Sequence, residues 1–225
     1  MFDIFLQVNS TTATTAATVK SETVFGMLTK GGPLMIPLGI LFALAVYVFI
    51  ERLLVIRKAG VQDENFMSII RDQVTTGNVA GARSLTRSKN NPVGRMIDKG
   101  LQRIGKPIDA IEKSMENVGK LELYKMEKNM SILSVVARIA PLFGFVGTII
   151  GLVILLKDFA TIANPSISLI ADAMYIKLIT SATGLIIGML AYTGYSYLDT
   201  QINRTANRME SASSEFIDIL QEPTR

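Results

Sequence analysis

The fold of this chain is decided by residues 137–159, ARIAPLFGFVGTIIGLVILLKDF. Between Arg138 and Lys157 this stretch has 18 consecutive residues without a charge. A helix needs about 20 apolar residues to cross the ~30 Å hydrocarbon core of a bilayer. The stretch is therefore predicted to be a membrane helix. Its proline, three glycines and single threonine need a separate explanation, because a helix that only faces lipid has no use for them.

Two further uncharged runs of similar length occupy residues 31–50 and 178–198. The chain has 225 residues, is 49% hydrophobic and has a positive mean hydropathy. A helix in the core of a soluble bundle carries charges on one face every turn or two, and none occur in these runs. The sequence therefore predicts three transmembrane helices, at residues 31–50, 139–156 and 178–198.

The charges outside the spans predict the orientation of the chain. Residues 51–138 contain 16 Lys/Arg against 10 Asp/Glu, and Arg52, Arg57 and Lys58 crowd the end of the first span. Basic residues close to span ends remain cytoplasmic. Residues 51–138 and 199–225 are therefore expected inside the cell. Residues 1–30 and the short link at 157–177 are expected outside it.

The long polar segment between the first two spans is predicted to be helical. Asp63 is a candidate cap for a helix that runs to about position 74, and Asn78 for one that ends near position 87. Asn91 and Pro92 open a third helix, since proline is favourable in the first turn. From Pro107 to Pro141 the only helix breaker is Gly119. We therefore expect one continuous helix that enters the second span.

The residues after the third span also keep a helical pattern. Apolar or small residues recur at spacings of three and four, which is typical of a helix that packs on a partner. They are Ile202, Ala206, Met209, Ser213, Phe216 and Leu220. The predicted fold class is therefore all-α: a polytopic membrane protein with three transmembrane helices, two of which extend into a cytoplasmic helical bundle.

Composition argues against catalysis. The chain has no cysteine and no histidine, which removes thiolate ligands, disulfides and the side chain that most often titrates near neutral pH. No nucleophile–base pair and no metal-ligand cluster is visible in the sequence. We therefore expect no enzyme activity, no cofactor, no metal and no nucleic-acid partner.

Small and polar residues recur at similar depth in the second and third spans. Those suited to helix packing are Pro141, Gly144, Gly147, Gly151, Gly184 and Gly188. The hydroxyl residues Thr148, Thr180 and Ser181 accompany them. The first span is mainly Leu, Ile, Phe, Val and Ala, as expected of a helix in contact with membrane lipids. These small-residue faces exceed what the three helices of one chain can cover, which predicts a ring of copies.

No acidic or basic residue lies within the three spans, although intramembrane charges usually mark ion paths. Two interpretations remain open. In the first, the chain is a passive scaffold. In the second, it lines part of an ion path, and another chain supplies the group that titrates.

Residues 140–151, APLFGFVGTIIG, resemble the second-helix signature of the ExbB/TolQ/MotA family of proton-channel subunits, and residues 178–185, LITSATGL, resemble its third-helix signature. Three spans fit the ExbB and TolQ branch, and the chain is most similar to ExbB. The resemblance implies a homo-pentamer in the bacterial inner membrane. It also implies a pore that holds two single-span ExbD-type chains whose aspartate titrates, and proton flow that energises a TonB-type protein. A TolQ-type role in envelope maintenance is the alternative within the family.

The resemblance assigns roles to individual residues. Thr148 matches the pore-facing threonine of the second helix and Ser181 the polar position of the third, and Thr180 is added to this proton pathway. The family often has a glutamate five residues before Ser181, where this chain has Ile176. The nearest acid is Asp172, with Lys177 close by. These two are candidates for the place where ions enter, and Asp172 is a candidate replacement for the missing glutamate.

Overall fold

The computed structural model describes residues 32–60, 65–89, 91–161 and 167–222. Within these ranges the chain forms seven α-helices and no β-strand. They are α1 (Met35–Ala59), α2 (Phe66–Thr75), α3 (Val79–Lys89), α4 (Pro92–Leu101), α5 (Ile108–Glu127), α6 (Met130–Thr161) and α7 (Ile167–Gln221). The predicted all-α class is confirmed. The expected periplasmic segment at residues 1–30 lies outside the described residues.

Three helices are long and apolar enough to cross a membrane, as predicted. They are α1, α6 and the part of α7 between Lys177 and Gln221. Most of the exposed large hydrophobic side chains belong to these helices, and so broad an apolar surface is stable only in lipid or against a partner. The chain is therefore a multi-pass membrane protein. Its orientation and the limits of its segments remain predictions.

Helices α2–α5 and the C-terminal half of α7 form a second unit, here called the polar bundle. Its core is apolar and includes Phe66, Ile97, Met115 and Phe216. The predicted caps at two of its helices are confirmed. Asn91 Oδ1 accepts a hydrogen bond from Gly94 N at 2.7 Å, and Asn78 Oδ1 accepts one from Gly81 N at 3.0 Å. The predicted cap at Asp63 lies outside the described residues.

The continuous helix predicted from Pro107 into the second span is wrong. Helix α5 ends at Glu127 and α6 begins at Met130. Asn129, between them, has φ = 64°, a left-handed conformation that no α-helix continues through and that asparagine tolerates better than most residues. Pro141 lies inside α6 without ending it. The second span therefore reaches the polar bundle through a break.

Helix α7 connects the membrane part with the polar bundle without interruption. It contains 55 residues, about 80 Å at 1.5 Å per residue. The predicted apolar stripe along its C-terminal half is confirmed, because Ile202, Met209 and Phe216 are buried. A single helix thus fixes the distance between the third span and the bundle.

A buried arginine joins the end of α1 to the bundle. The Arg52 side chain is 5% exposed. Its Nη1 donates a hydrogen bond to the Lys125 carbonyl oxygen at 3.2 Å, and its Nη2 contacts the Glu51 carboxylate. A buried guanidinium is stable only when paired in this way. The first span is thereby tied to the C-terminal end of α5.

Candidate functional site

The small residues of the second and third spans meet along one antiparallel seam between α6 and α7. Gly188 lies against Pro141 and Gly184 against Gly144. Farther along, Thr180 lies against Gly147 and Lys177 against Gly151. Residue numbers decrease along α7 as they increase along α6, so the two helices run in opposite directions. All six predicted packing residues therefore lie in the seam.

The seam is tight because its glycines lack a Cβ. A Cβ placed at Gly184 would lie 2.6 Å from the Ala140 carbonyl oxygen and 3.0 Å from Gly144 Cα. One placed at Gly144 would lie 3.0 Å from the Ser181 carbonyl oxygen. Ordinary carbon contacts need about 3.5 Å or more. The backbones of α6 and α7 are thus as close as glycine-rich membrane helices allow.

The seam overturns one step of the sequence reasoning. A ring was expected because small-residue faces would remain uncovered in a single chain. Instead, Gly144, Gly147 and Gly151 are buried in the isolated chain, and they pack against α7. The small residues of one span pack against those of the other within the same chain, so they are not evidence for a ring. Any assembly of copies must use other surfaces.

Thr148 lies at the edge of the seam and is half-buried. Its hydroxyl donates a hydrogen bond to the Phe145 carbonyl oxygen in its own helix, at 2.6 Å. A threonine hydroxyl has one proton to donate and two lone pairs that accept. The oxygen of Thr148 therefore keeps the capacity to accept a hydrogen bond from outside the chain.

The other two predicted hydroxyl residues lie on α7, across the seam from α6. Thr180 is only 2% exposed, and its Cγ2 faces Gly147 across the seam. Ser181 is half-buried, with its backbone against Gly144. Their place in a proton path remains a prediction, and for Thr180 the geometry favours a packing role.

A small cleft of about 120 Å³ brings two predicted residues together. Thr148 and Lys177 both line it, along with Gly151, Met174 and Leu178. The aliphatic carbons of Lys177 cover Gly151, where any Cβ would overlap them. The cleft is mostly apolar and is open to one side. A half-buried hydroxyl, that of Thr148, therefore lines this open cleft together with a half-buried cation.

Sequence reasoning missed Met174 and Leu178 as lining residues. The signal was present, because they lie seven and three residues before Ser181 and so share its helix face. Asp172 and Ile176 are part of α7, but their side chains are not among those described. The question whether Asp172 replaces the missing glutamate stays a prediction.

The polar bundle, in contrast to the seam, contains a paired charge cluster. Glu122 is buried and accepts hydrogen bonds from Arg95 and from Lys125 Nζ at 2.7 Å. Burial raises the pKa of Glu122, but the two hydrogen bonds and the two positive charges outweigh it and hold the pKa below its usual value of 4.5. The cluster is a structural clamp between α4 and α5.

The described residues contain no group of three or more Asp, Glu, His or Cys side chains that could bind a metal. Within that part of the chain, chemistry at the seam depends on hydroxyls, backbone carbonyls and the Lys177 ammonium. Such groups can hydrogen-bond a proton carrier or water.

Comparison with known proteins agrees with this geometry. A model of the MotA/TolQ/ExbB proton channel family matches residues 88–211, a range that contains the whole seam. A protein of Methanothermobacter thermautotrophicus described as an ExbB homolog for biopolymer transport is 25% identical over 192 residues, 84% of this chain and 67% of its own length.

Two further relatives carry ExbB names. An ExbB-like protein of Synechocystis sp. is 22% identical over 200 residues, 86% of this chain and 77% of its own length. The biopolymer transport protein exbB1 of Vibrio cholerae is 28% identical over 88 residues, 39% of each chain. Because the family match covers more than half of its length, the chain belongs to the MotA/TolQ/ExbB proton channel family.

Proposed function

We propose that this protein is a subunit of a proton-driven motor in the bacterial inner membrane. With an ExbD-type single-span partner, it uses the proton motive force to energise a TonB-type protein that serves outer-membrane transport. Family membership and the ExbB names of its relatives support this role. They also favour an ExbB-type role over a TolQ-type one.

The observation that carries the proposal is the combination of a hydroxyl that lines an open cleft and the absence of a carboxylate from the spans. Thr148 presents its oxygen at the edge of the α6–α7 seam. The spans themselves contain no acidic residue. An acid from a partner helix placed beside α6 would find an acceptor at Thr148, in surroundings of low dielectric where a hydrogen bond is strengthened.

Assembly into a homo-pentamer around two partner helices follows from the family resemblance. The large apolar side chains exposed along α6 are compatible with it, since Leu142, Phe145 and Val153 are left uncovered in a single chain. Helix α1 then contacts membrane lipids, with Ile40 and Tyr47 on its open face. The proposed orientation has the N-terminus in the periplasm and the polar bundle and C-terminus in the cytoplasm.

The substitution Thr148→Val tests the role of the hydroxyl. Valine keeps the shape and removes the polar atom, so we predict normal co-purification of the partner and much reduced proton-dependent cargo uptake. The net free energy of one hydrogen bond is only about 1 kcal/mol, and its loss therefore leaves assembly intact. Ser181→Ala should act in the same direction, more weakly, because Thr148 lines the open cleft whereas Ser181 lies with its backbone against Gly144 in the seam.

Thr193→Val is the matched control for this experiment. Thr193 also lies in a span, where it is exposed, and its hydroxyl also donates a hydrogen bond to a carbonyl of its own helix, that of Met189 at 2.9 Å. It lines the groove between α1 and α7, on the face proposed to contact lipid. Uptake should stay normal in this variant. Unimpaired uptake with Thr148→Val would refute the pore role, and lost partner binding would make Thr148 a packing residue.

A passive scaffold is the second candidate. The hydrogen bond from Thr148 to Phe145 and the closed seam favour it, because both are ordinary packing devices of membrane helices. In that case the partner still co-purifies and neither threonine substitution changes uptake.

A further inference from the structure

An open groove of about 540 Å³ runs between α5 and the C-terminal part of α7 in the polar bundle. Apolar side chains form much of its lining, among them Met96, Leu123 and Ile217. Met96 and Met209, which also line it, are buried and their thioethers approach Gly119. Methionine adapts to the shape of an apolar partner. The groove is thus suited to an apolar side chain from outside.

The rim of the groove is acidic. Glu112 and Glu116 border it on α5, and Glu210 and Asp218 border it on α7; all four are exposed. Among the described residues that line the groove, Lys120 alone is basic, and it pairs with Glu116 at 2.5 Å. A partner for this groove should therefore be apolar at its tip and basic at its flanks.

The turn between α4 and α5 has these properties. Ile104 and Ile108 are 37% and 36% exposed, although isoleucine is usually buried. Arg103 precedes Ile104, and Lys106 lies between the two isoleucines and is exposed. Gly105, with φ = 91°, gives the turn a conformation that other residues rarely adopt. The basic turn, residues 103–108, projects two apolar side chains.

The basic turn and the groove lie at the same level along α7. Gly100, just before the turn, packs on Phe216, since a Cβ at Gly100 would come within 2.6 Å of Phe216 Cε1. Ile217 and Asp218, which line the groove, follow Phe216 directly. Rotation about the membrane normal leaves the depth of every atom unchanged. In a ring of copies around that axis, the basic turn of one copy therefore meets its neighbour at the depth of the groove.

We propose that the basic turn of each copy docks into the acidic-rimmed groove of the next copy around the ring. The contact is heterologous, with two different surfaces meeting at every interface, and such contacts close into rings. Opposite charge on the two surfaces fixes the register and the choice of partner. The inference rests on the proposed ring and names an interface for it outside the membrane, away from the α6–α7 seam.

The cysteine-free sequence allows a direct test by disulfide formation. Chains carrying Ile104→Cys and chains carrying Ser213→Cys, with different affinity tags, are co-expressed and oxidised in membranes. Ser213 lines the groove. A disulfide forms only where the two Cα atoms come within about 7 Å. The control pair joins Ile104→Cys with Ser88→Cys, an exposed position on α3. We expect a mixed-tag dimer for the first pair and background for the control.

A charge exchange provides the second test. Lys106→Glu should reduce the mixed-tag disulfide, and Glu112→Lys in the other chain should restore it. Equal yields from the groove pair and the control pair would overturn the proposal, as would a charge exchange without effect. The mass of the complex in mild detergent separates this failure from that of the proposed function. An intact ring without the disulfide refutes only this interface, whereas a monomeric, fully active chain refutes the ring itself.

Discussion

At the scale of single residues, Thr148 shows why sequence alone left two interpretations open. A hydroxyl in a membrane helix either bonds its own backbone or faces a polar path. Thr148 does the first, and its half-buried side chain also lines an open cleft. Losing one hydrogen bond costs about 1 kcal/mol, while a proton that crosses 100 mV releases about 2.3 kcal/mol. We therefore expect substitution of Thr148 to reduce proton-dependent work more than it reduces stability.

Glu122 is a residue whose role can be measured by pH. Its lowered pKa means that it contributes stability above the ordinary pKa of a glutamate, near 4.5, and that this contribution is lost as pH falls through the lower folded-state value. We predict that Glu122→Gln lowers the free energy of unfolding of the bundle by about 1–2 kcal/mol at pH 7. The difference from the wild type should vanish well below pH 4.5.

Thermal unfolding in detergent at the two pH values checks this expectation. Glu116→Gln is the control, because Glu116 makes an exposed ion pair with Lys120 and its loss should change stability much less. If the difference in stability between Glu122→Gln and the wild type did not depend on pH, the cluster would stabilise the bundle through packing and not through charge.

At the scale of the helices, the α6–α7 seam predicts the cost of adding a single methyl group. In Gly184→Ala the new Cβ meets the Ala140 carbonyl oxygen at 2.6 Å and Gly144 Cα at 3.0 Å. Both are backbone atoms, which cannot move away by a change of side-chain rotamer, so the two helices must separate. We predict that the free energy of unfolding falls by about 1–3 kcal/mol, as it does when a well-packed core receives an extra methyl group.

Gly39→Ala is the matched substitution, since a Cβ at Gly39 meets nothing within 4 Å. It should leave the thermal midpoint unchanged or raise it, because alanine favours the helix by about 0.5–1 kcal/mol. Equal effects of the two substitutions would mean that the seam is loose in the membrane.

The elements were predictable where the signal was local. Long uncharged runs identify the three spans, and Asn78 and Asn91 mark helix starts because their side chains cap the helices that follow. The break at Asn129 was not predictable. Neither Gly nor Pro marks the left-handed conformation at Asn129, and the Asn129 side chain contacts Glu51 on α1, 78 positions earlier in the chain. Packing between distant helices leaves no local pattern in a sequence.

The seam was predictable only in part. Glycine spacing showed which residues of α6 and α7 pack closely, but not against what. A GxxxG motif serves contacts within a chain and between chains equally well. Gly144 and Gly184 pack against each other, so here the motif serves a contact within the chain. The glycines therefore do not support the expectation of a ring.

At the scale of the whole molecule, orientation follows from charge and can be tested by labelling. A cysteine introduced at Ser88, on α3, should be protected from impermeant reagents added outside intact cells. One introduced at Thr12 should react. The excess of Lys and Arg in residues 51–138 is the physical reason. The cysteine-free chain provides the blank, and reversed labelling would contradict the proposed orientation.

The most direct test of the proposed function is the position of Thr148 in the complex purified with the single-span partner. Electron cryomicroscopy of that complex gives both the subunit ratio and the contents of the ring. We predict partner helices inside a ring of copies, with the Thr148 hydroxyl facing them at the depth of the partner's aspartate. Thr148 facing lipid, or partner helices bound only at the outside of the ring, would contradict the proposal.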